Sequence, residues 1–342
     1  MNVLVPKYKD ALFIDEVIKS YATSCAVDTR FENFWLNQGS YDIIHLHWPE
    51  YLFKWEVPTD TELLFLERVM AEWQKLGTKI VITRHNYLPH RPNPERYIPL
   101  YNLVYSHVDA VIHLGKHSEY EYLERYKDLM PKAQVQAQIP HPIFTNYPNT
   151  VSKEAARKQL HIKPSSTVML VFGEVRKAVE KNLVLKAFNL IEKNDKLLLV
   201  PGWKFNEGKE PINRLKWLKI KQSKKYKINK EFIPDEEVQY YFKAADFVFL
   251  PRVDTLNSGV PFLSAVFGTP IMGCDQGNSG EFLKTVRMPV FKELDSSSIS
   301  KAINTALSLK HKESLFQDIL NTHSNSTIGQ QHKDLFNQLI EK

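Results

Sequence analysis

At 342 residues the chain has room for two domains of ordinary size, each able to bury its own core. A hydrophobic content of 43% with 25% charged residues is ordinary for a globular protein, and no apolar run approaches the roughly 20 residues that cross a bilayer. The net charge of +6 favours polyanionic partners (nucleotide diphosphates, anionic lipid or nucleic acid) without choosing among them.

The chain opens on MNVLVPKYKD, whose four-residue apolar run is too short for a secretory leader, so a cytosolic location is expected. Residues 3–5, 43–46, 79–83, 110–114 and 135–139 read as strands that are apolar toward both faces. Between the second and third, Leu63, Leu66, Met70 and Trp73 recur at helical spacing and predict a helix over 60–76, stopped by Gly77. Strand-helix alternation predicts right-handed crossovers and a mostly parallel sheet. The segment YLFKWEVP (51–58) is expected to be a connection, with Tyr51, Leu52, Phe53 and Trp55 either exposed to a sugar or lipid acceptor or packed in the core.

The pattern breaks at PHPIFTNYPNTV (140–151), where three prolines mark a linker. Alternation then restarts, with strands at 168–172, 196–200, 247–250 and 270–273 and helices at 181–193, 235–244 and 259–267. The tail predicts helices at 296–309 and 329–342. The fold class expected is α/β, with two Rossmann-like doubly wound domains facing a central cleft at the carboxyl ends of their strands. The first domain spans 1–148 with the helix at about 328–342, and the second spans 149–327. Cys25 and Cys274 make no metal, redox or disulfide spacing and read as inert thiols.

The strongest chemical signal follows the strand at 168–172. Gly173 lets the chain turn, Arg176 offers a planar fork for phosphate, and Lys181 offers a compact charge where a helix opens. A helix N-terminus adds free N–H groups and partial positive charge, so the set suits a departing diphosphate. An ordinary basic helix start has the same composition. A second cradle of this kind follows 247–250, where Ser258 and Gly259 precede a helix with Pro261 in its first turn.

In this order FGEVRKAVEKN, FIPDEEVQYYFKAADFVFLPR and SGVPFLSAVFGTPIMG, preceded by YDIIHLHWPE and ITRHN, resemble the GT-B glycosyltransferases, nearest to glycosyltransferase family 4 and bacterial polysaccharide-assembly relatives. The resemblance covers roughly residues 40–285. It implies a nucleotide-sugar donor in the later domain and an acceptor in the earlier one. Arg176 and Lys181 hold the diphosphate, Ile233 lies beside the base, Thr255, Asn257, Ser258 and Gly259 flank sugar and phosphates, and His85 sits over the reacting sugar. It implies no metal and no cofactor besides the donor, and a last helix that returns to the first domain. The family carries two glutamates where this chain has Thr255 and Leu263, so either Asp254 or Asn257 substitutes or the donor site is degenerate.

His85 follows a strand at its carboxyl end. It serves as general base on the acceptor hydroxyl if the enzyme inverts, or positions the donor sugar if it retains; a purely structural histidine is the plainer alternative. His45 and His47 share a strand face, yet no cysteine or carboxylate completes a metal spacing with them. His47, Trp48 and Glu50 are expected to line the acceptor side. The lysine-rich run 214–230 reads as a solvated helix face, or else a contact with an anionic membrane. Nucleic acid has no supporting motif. The function expected is transfer of a sugar from a nucleotide diphosphate to a saccharide or lipid-linked acceptor in surface-polysaccharide assembly, at the inner face of the membrane. A sugar-nucleotide epimerase and a degenerate binding subunit are the alternatives.

Overall fold

The computed structural model describes residues 1–9, 11–175, 177–202, 220, 223–229, 231–292, 295–309 and 313–341. The chain forms two compact units. The first comprises Met1–Ile143, Thr255–Asn257 and Asn321–Lys342, and the second Phe144–Asp254 and Ser258–Leu320. The first crossing thus falls at 143/144 rather than 148/149, and a three-residue excursion of the later chain packs with the first unit.

The first unit carries six parallel strands: β1 (Asn2–Lys7), β2 (Ala26–Arg30), β3 (Ile43–Leu46), β4 (Lys79–Arg84), β5 (Ala110–His113) and β6 (Val135–Gln138), in the order 2-1-3-4-5-6. Its helices are α1 (Leu12–Tyr21), α2 (Phe31–Leu36), α3 (Asp60–Lys75), α4 (Ile98–His107), α5 (Lys116–Tyr126) and the last helix of the chain, Asn325–Ile340. Pleating sends alternate residues to opposite faces. Val3, Val5, Ile43, Val81 and Ile112 pack against α1 and the last helix. Leu4, Ile44, Ile80, Ile82 and Val111 pack against α2 to α5 through Phe34, Met70, Trp73, Tyr101 and Tyr105. Each such apolar side chain contributes roughly 1.5–3 kcal/mol on burial.

Two local devices fix helices here. Thr59 caps α3, its hydroxyl accepting from Glu62 N while the Glu62 carboxylate accepts from Thr59 N at 2.7 Å. Gly329 lets the last helix meet α1 backbone to backbone, because a Cβ there would lie 1.8 Å from the Ser20 carbonyl oxygen.

The second unit repeats the scheme with β7 (Thr167–Leu170), β8 (Lys196–Pro201), β9 (Tyr226–Asn229), β10 (Phe247–Leu250), β11 (Ile271–Cys274) and β12 (Val290–Phe291), all parallel, in the order 12-11-10-7-8-9. Its helices include α6 (Lys153–Gln159), α7 (Ala178–Asn189), α8 (Asp235–Ala244), α9 (Val260–Phe267), α10 (Gly277–Thr285) and α11 (Ser296–Ser308). Met169, Val171, Leu198, Val200, Phe247 and Phe249 form one core with Leu183, Phe188, Ile299 and Ile303 of α7 and α11.

Three strands were not anticipated: β2, β9 and β12, each the edge of its sheet. Over Tyr226–Asn229 the helix-face reading of the lysine run fails, since that stretch is a half-buried edge strand paired with β8. Lys227 runs inward from it to donate to the Leu160 carbonyl. Residues 214–219, 221–222 and 230 of that run lie outside the described residues. Helix α7 begins three residues before expectation, because Glu180 reaches back to accept from Lys177 N at 3.3 Å. Among the described residues no helix is long and apolar enough to cross a membrane.

Candidate functional site

In an open parallel sheet a ligand-binding crevice opens where strand order reverses, beyond the carboxyl ends of the two strands involved. In the first unit that place lies between β1 and β3. The loop after β3 is a short 3-10 helix, Pro49–Phe53. Of the four large apolar residues read as a possible acceptor surface, Tyr51 and Leu52 are core, while Phe53 and Trp55 are half-buried. The Tyr51 hydroxyl donates to the Lys9 carbonyl at 2.7 Å, tying the two loops, and the Lys9 ammonium stands 5.7 Å over the Trp55 ring.

Histidines occupy the strand ends around this place. His45 is satisfied at both nitrogens, by the Tyr21 hydroxyl at 3.2 Å and the Thr83 hydroxyl at 2.8 Å, and so takes a structural role. His47 Nδ1 meets His85 Nε2 at 3.2 Å. Trp48 stacks on the His85 ring at 3.9 Å, and Phe13 meets it edge-on at 4.5 Å. The Asn257 amide donates to the His85 carbonyl at 2.7 Å. Burial, reinforced by neighbouring histidines, holds His47 and His85 well below the usual histidine value, so both are neutral at pH 7.

Glu50, expected on the acceptor side, is fully buried instead. One oxygen accepts from the Tyr101 hydroxyl at 2.9 Å, and the other has no partner among the described residues. Burial pushes its carboxyl up to about 7. Glu50 therefore belongs to the packing beneath the 3-10 helix, because α4 covers it.

In the second unit the order reverses between β7 and β10. Gly173 follows β7 with φ +84°, a left-handed turn that glycine adopts freely. Gly202, also at φ +84°, follows β8, and a Cβ on it would stand 3.7 Å from the Gly173 carbonyl carbon. Lys181 is half-buried in the first turns of α7. Arg176 lies outside the described residues. Asp254 pairs with Lys177. Ser258 and Gly259 lead into α9, where Val260 N donates to the Ser258 hydroxyl at 3.4 Å. Ile233 is 8% exposed just before α8. Leu263, at a place where the resembling family has a carboxylate, is buried within α9.

Residues named for the donor therefore divide. Gly173, Lys181, Ile233, Asp254, Ser258 and Gly259 sit in the second unit, and Thr255 and Asn257 pack with the first, beside His85. Sequence reasoning missed Arg252, which fastens the loop after β7 to the start of α7. Its guanidinium donates to the Glu180 carboxylate at 2.8 Å and to the Glu174 carbonyl at 2.7 Å. The only sequence signal for it was an arginine just past the end of a buried strand. A groove lined by Lys153, Arg157, Ser165 and Asn304 opens at the opposite, amino ends of the strands, and Asp246 engages its two named cations.

Two doubly wound parallel sheets in one chain, each with its reversal point flanked by polar loops, define a paired nucleotide-binding-type α/β architecture. No family model and no curated protein matches the chain by sequence. Solved structures do match, along nearly its whole length. HepE from Anabaena, solved in complex with UDP-glucose, superposes with a TM-score of 0.70 at 12% identity, covering 99% of this chain and 100% of that one. Sucrose-phosphate synthase from Thermosynechococcus elongatus gives 0.68 at 15% identity, with 100% and 99% covered. The lipopolysaccharide outer core galactosyltransferase WaaB gives 0.64 at 12%, with 99% and 100% covered. The chain has the GT-B fold.

Proposed function

We propose that this protein is a glycosyltransferase that moves a sugar from a nucleotide diphosphate to a saccharide or lipid-linked acceptor, in the setting of surface-polysaccharide assembly. The observation that carries the reading is the end-to-end likeness to sugar-transferring GT-B proteins, among them one solved with UDP-glucose and one described as a lipopolysaccharide galactosyltransferase. The chain's own chemistry supports it where a diphosphate leaving group requires it. The Gly173 turn, the start of α7 and Lys181 lie together at the reversal point of the second sheet. Bond cleavage to the sugar builds negative charge on the diphosphate, and fixed cations with helix N–H groups stabilise it without reorganising. Arg176 joins Lys181 in this role, in place of a metal ion. The role proposed for His85, Trp48 and Asn257, which are grouped in the first unit, is recognition of the sugar.

The test is a thermal-shift panel of UDP-, GDP- and dTDP-sugars, followed by turnover of whichever stabilises the protein. Arg176→Ala and Lys181→Ala are each expected to lower turnover by roughly 10²-fold or more while leaving the fold intact. Unchanged turnover in both variants refutes the assignment. Nucleotide released only when a saccharide acceptor is added separates transfer from epimerisation.

A further inference from the structure

The contact between His47 and His85 carries information about where their protons are. Both rings are neutral, so each holds one hydrogen, and their bond at 3.2 Å links the two placements. In one arrangement His47 donates from Nδ1, its Nε2 is a lone pair, and His85 keeps its hydrogen on Nδ1. In the other His85 donates from Nε2, His47 carries its hydrogen on Nε2, and His85 Nδ1 is a lone pair. His47 Nε2 decides between them. It is sealed from solvent and has no hydrogen-bond partner among the described residues. A buried N–H lacking an acceptor is rarer in native proteins than a buried acceptor with an unused lone pair. The first arrangement avoids the orphaned N–H.

We infer that His47 is a positioning residue that holds His85 in the tautomer with hydrogen on Nδ1, so that His85 offers the sugar a hydrogen-bond donor rather than a lone pair. The identity of the sugar partner rests on the function proposed above; the tautomer does not. His85 then has its Nε2 engaged by His47 and its Nδ1 already protonated, so it cannot take a proton from an acceptor hydroxyl. Of the two roles open to it, the geometry selects orientation of the sugar over general-base catalysis. The surrounding contacts serve the same end: Trp48 and Phe13 fix the ring plane, and Asn257 fixes the backbone that carries it.

Ring-nitrogen NMR on full-length protein carrying isotope-labelled histidine reads the tautomer directly, with His85→Gln used to assign the signal. Wild type is expected to show His85 protonated at Nδ1. His47→Asn, whose amide supplies a comparable donor, is expected to keep it there. His47→Met replaces the donor with a thioether, which can only accept, and is expected to move the hydrogen to Nε2, the position free imidazole favours. Binding is then compared for UDP and UDP-glucose, GDP and GDP-mannose, and dTDP and dTDP-glucose. His47→Met is expected to weaken the bound nucleotide sugar roughly tenfold and leave its nucleotide diphosphate unchanged, with His47→Asn within about twofold of wild type.

A wild-type hydrogen on His85 Nε2 overturns the inference, as does a tautomer unaltered in His47→Met. Equal weakening of diphosphate and nucleotide sugar also overturns it, since a merely structural role predicts that. If His47→Met does not fold, the wild-type and His47→Asn spectra still decide. If no nucleotide sugar binds wild type, the proposed function falls while the spectra judge the tautomer alone.

Discussion

Polar positions near the strand ends are filled differently in the two units. The first unit uses mainly histidines, His45 and His47 at the end of β3, His85 just past β4 and His113 closing β5, beside one ion pair of the buried Arg84 with Glu121. The second uses charges in pairs. Arg252 and Glu180, with side chains 10% and 4% exposed, lock β10 to α7 at the carboxyl ends. Asp246 at the amino ends accepts from Arg157 at 3.0 Å, Lys153 at 2.6 Å and Val168 N at 2.7 Å. A histidine can enter a core uncharged and hydrogen-bond from both sides, and it remains safe only while it stays neutral. A buried ion pair is indifferent to pH near neutrality but depends wholly on both members being present.

The largest expected effect exploits the histidines. Burial holds His113 and His332 at about 4 and His141 at about 3, against about 6.5 in an unfolded chain. Below pH 6.5 the unfolded chain takes up protons that the native rings refuse, so their contribution is intact above that pH and declines as pH falls. At pH 5 each ring costs roughly 2 kcal/mol, a sum comparable to the whole stability of a domain. Hydrogen exchange at pH 7 and pH 5 should show β3, β4 and β5 losing protection while β7, β8 and β10 keep it. Equal loss in both sheets would break the contrast.

The second test attacks the ion pair. Arg252→Ala leaves Glu180 charged and buried, and is expected to destabilise the second unit by roughly 3–5 kcal/mol in urea melts. Adding Glu180→Gln should recover much of that. The smallest effect sharpens the comparison by loosening only the first unit. Gly329→Ala forces the last helix away from Ser20 and should cost about 1–3 kcal/mol, read as faster exchange in α1 and β1 with β7 and β10 unaffected.

The interior strands were legible because they are apolar on both faces, as in Ile43–Leu46 and Phe247–Leu250, all eight of whose residues are buried. Three of the four edge strands, β2, β9 and β12, were not. β2 reads AVDTR and β9 reads YKIN, each partnered on one side only, so neither needs an unbroken apolar run. The start of α7 was displaced because its signal is Glu180 reaching back, not the lysine after it. For the site, His85 was visible as a polar residue just past a buried strand. Its partner was not, because His47 and Asn257 lie 38 and 172 positions away in sequence and meet it only through the sheet and the excursion of residues 255–257. Glu50 was misplaced for the same reason: nothing local announces that Tyr101 will cover it.

The last helix brings Ile328, Leu335, Phe336 and Leu339 to the core that contains Val3, Val5 and Val81. During synthesis these residues emerge after the whole second unit, so the sheet that is made first is finished last. Until then the face of β1, β3 and β4 beneath the last helix stands bare, a surface open to chaperones or to other nascent chains. A ribosome stalled before residue 325 would expose a half-built first unit beside a second unit already able to fold.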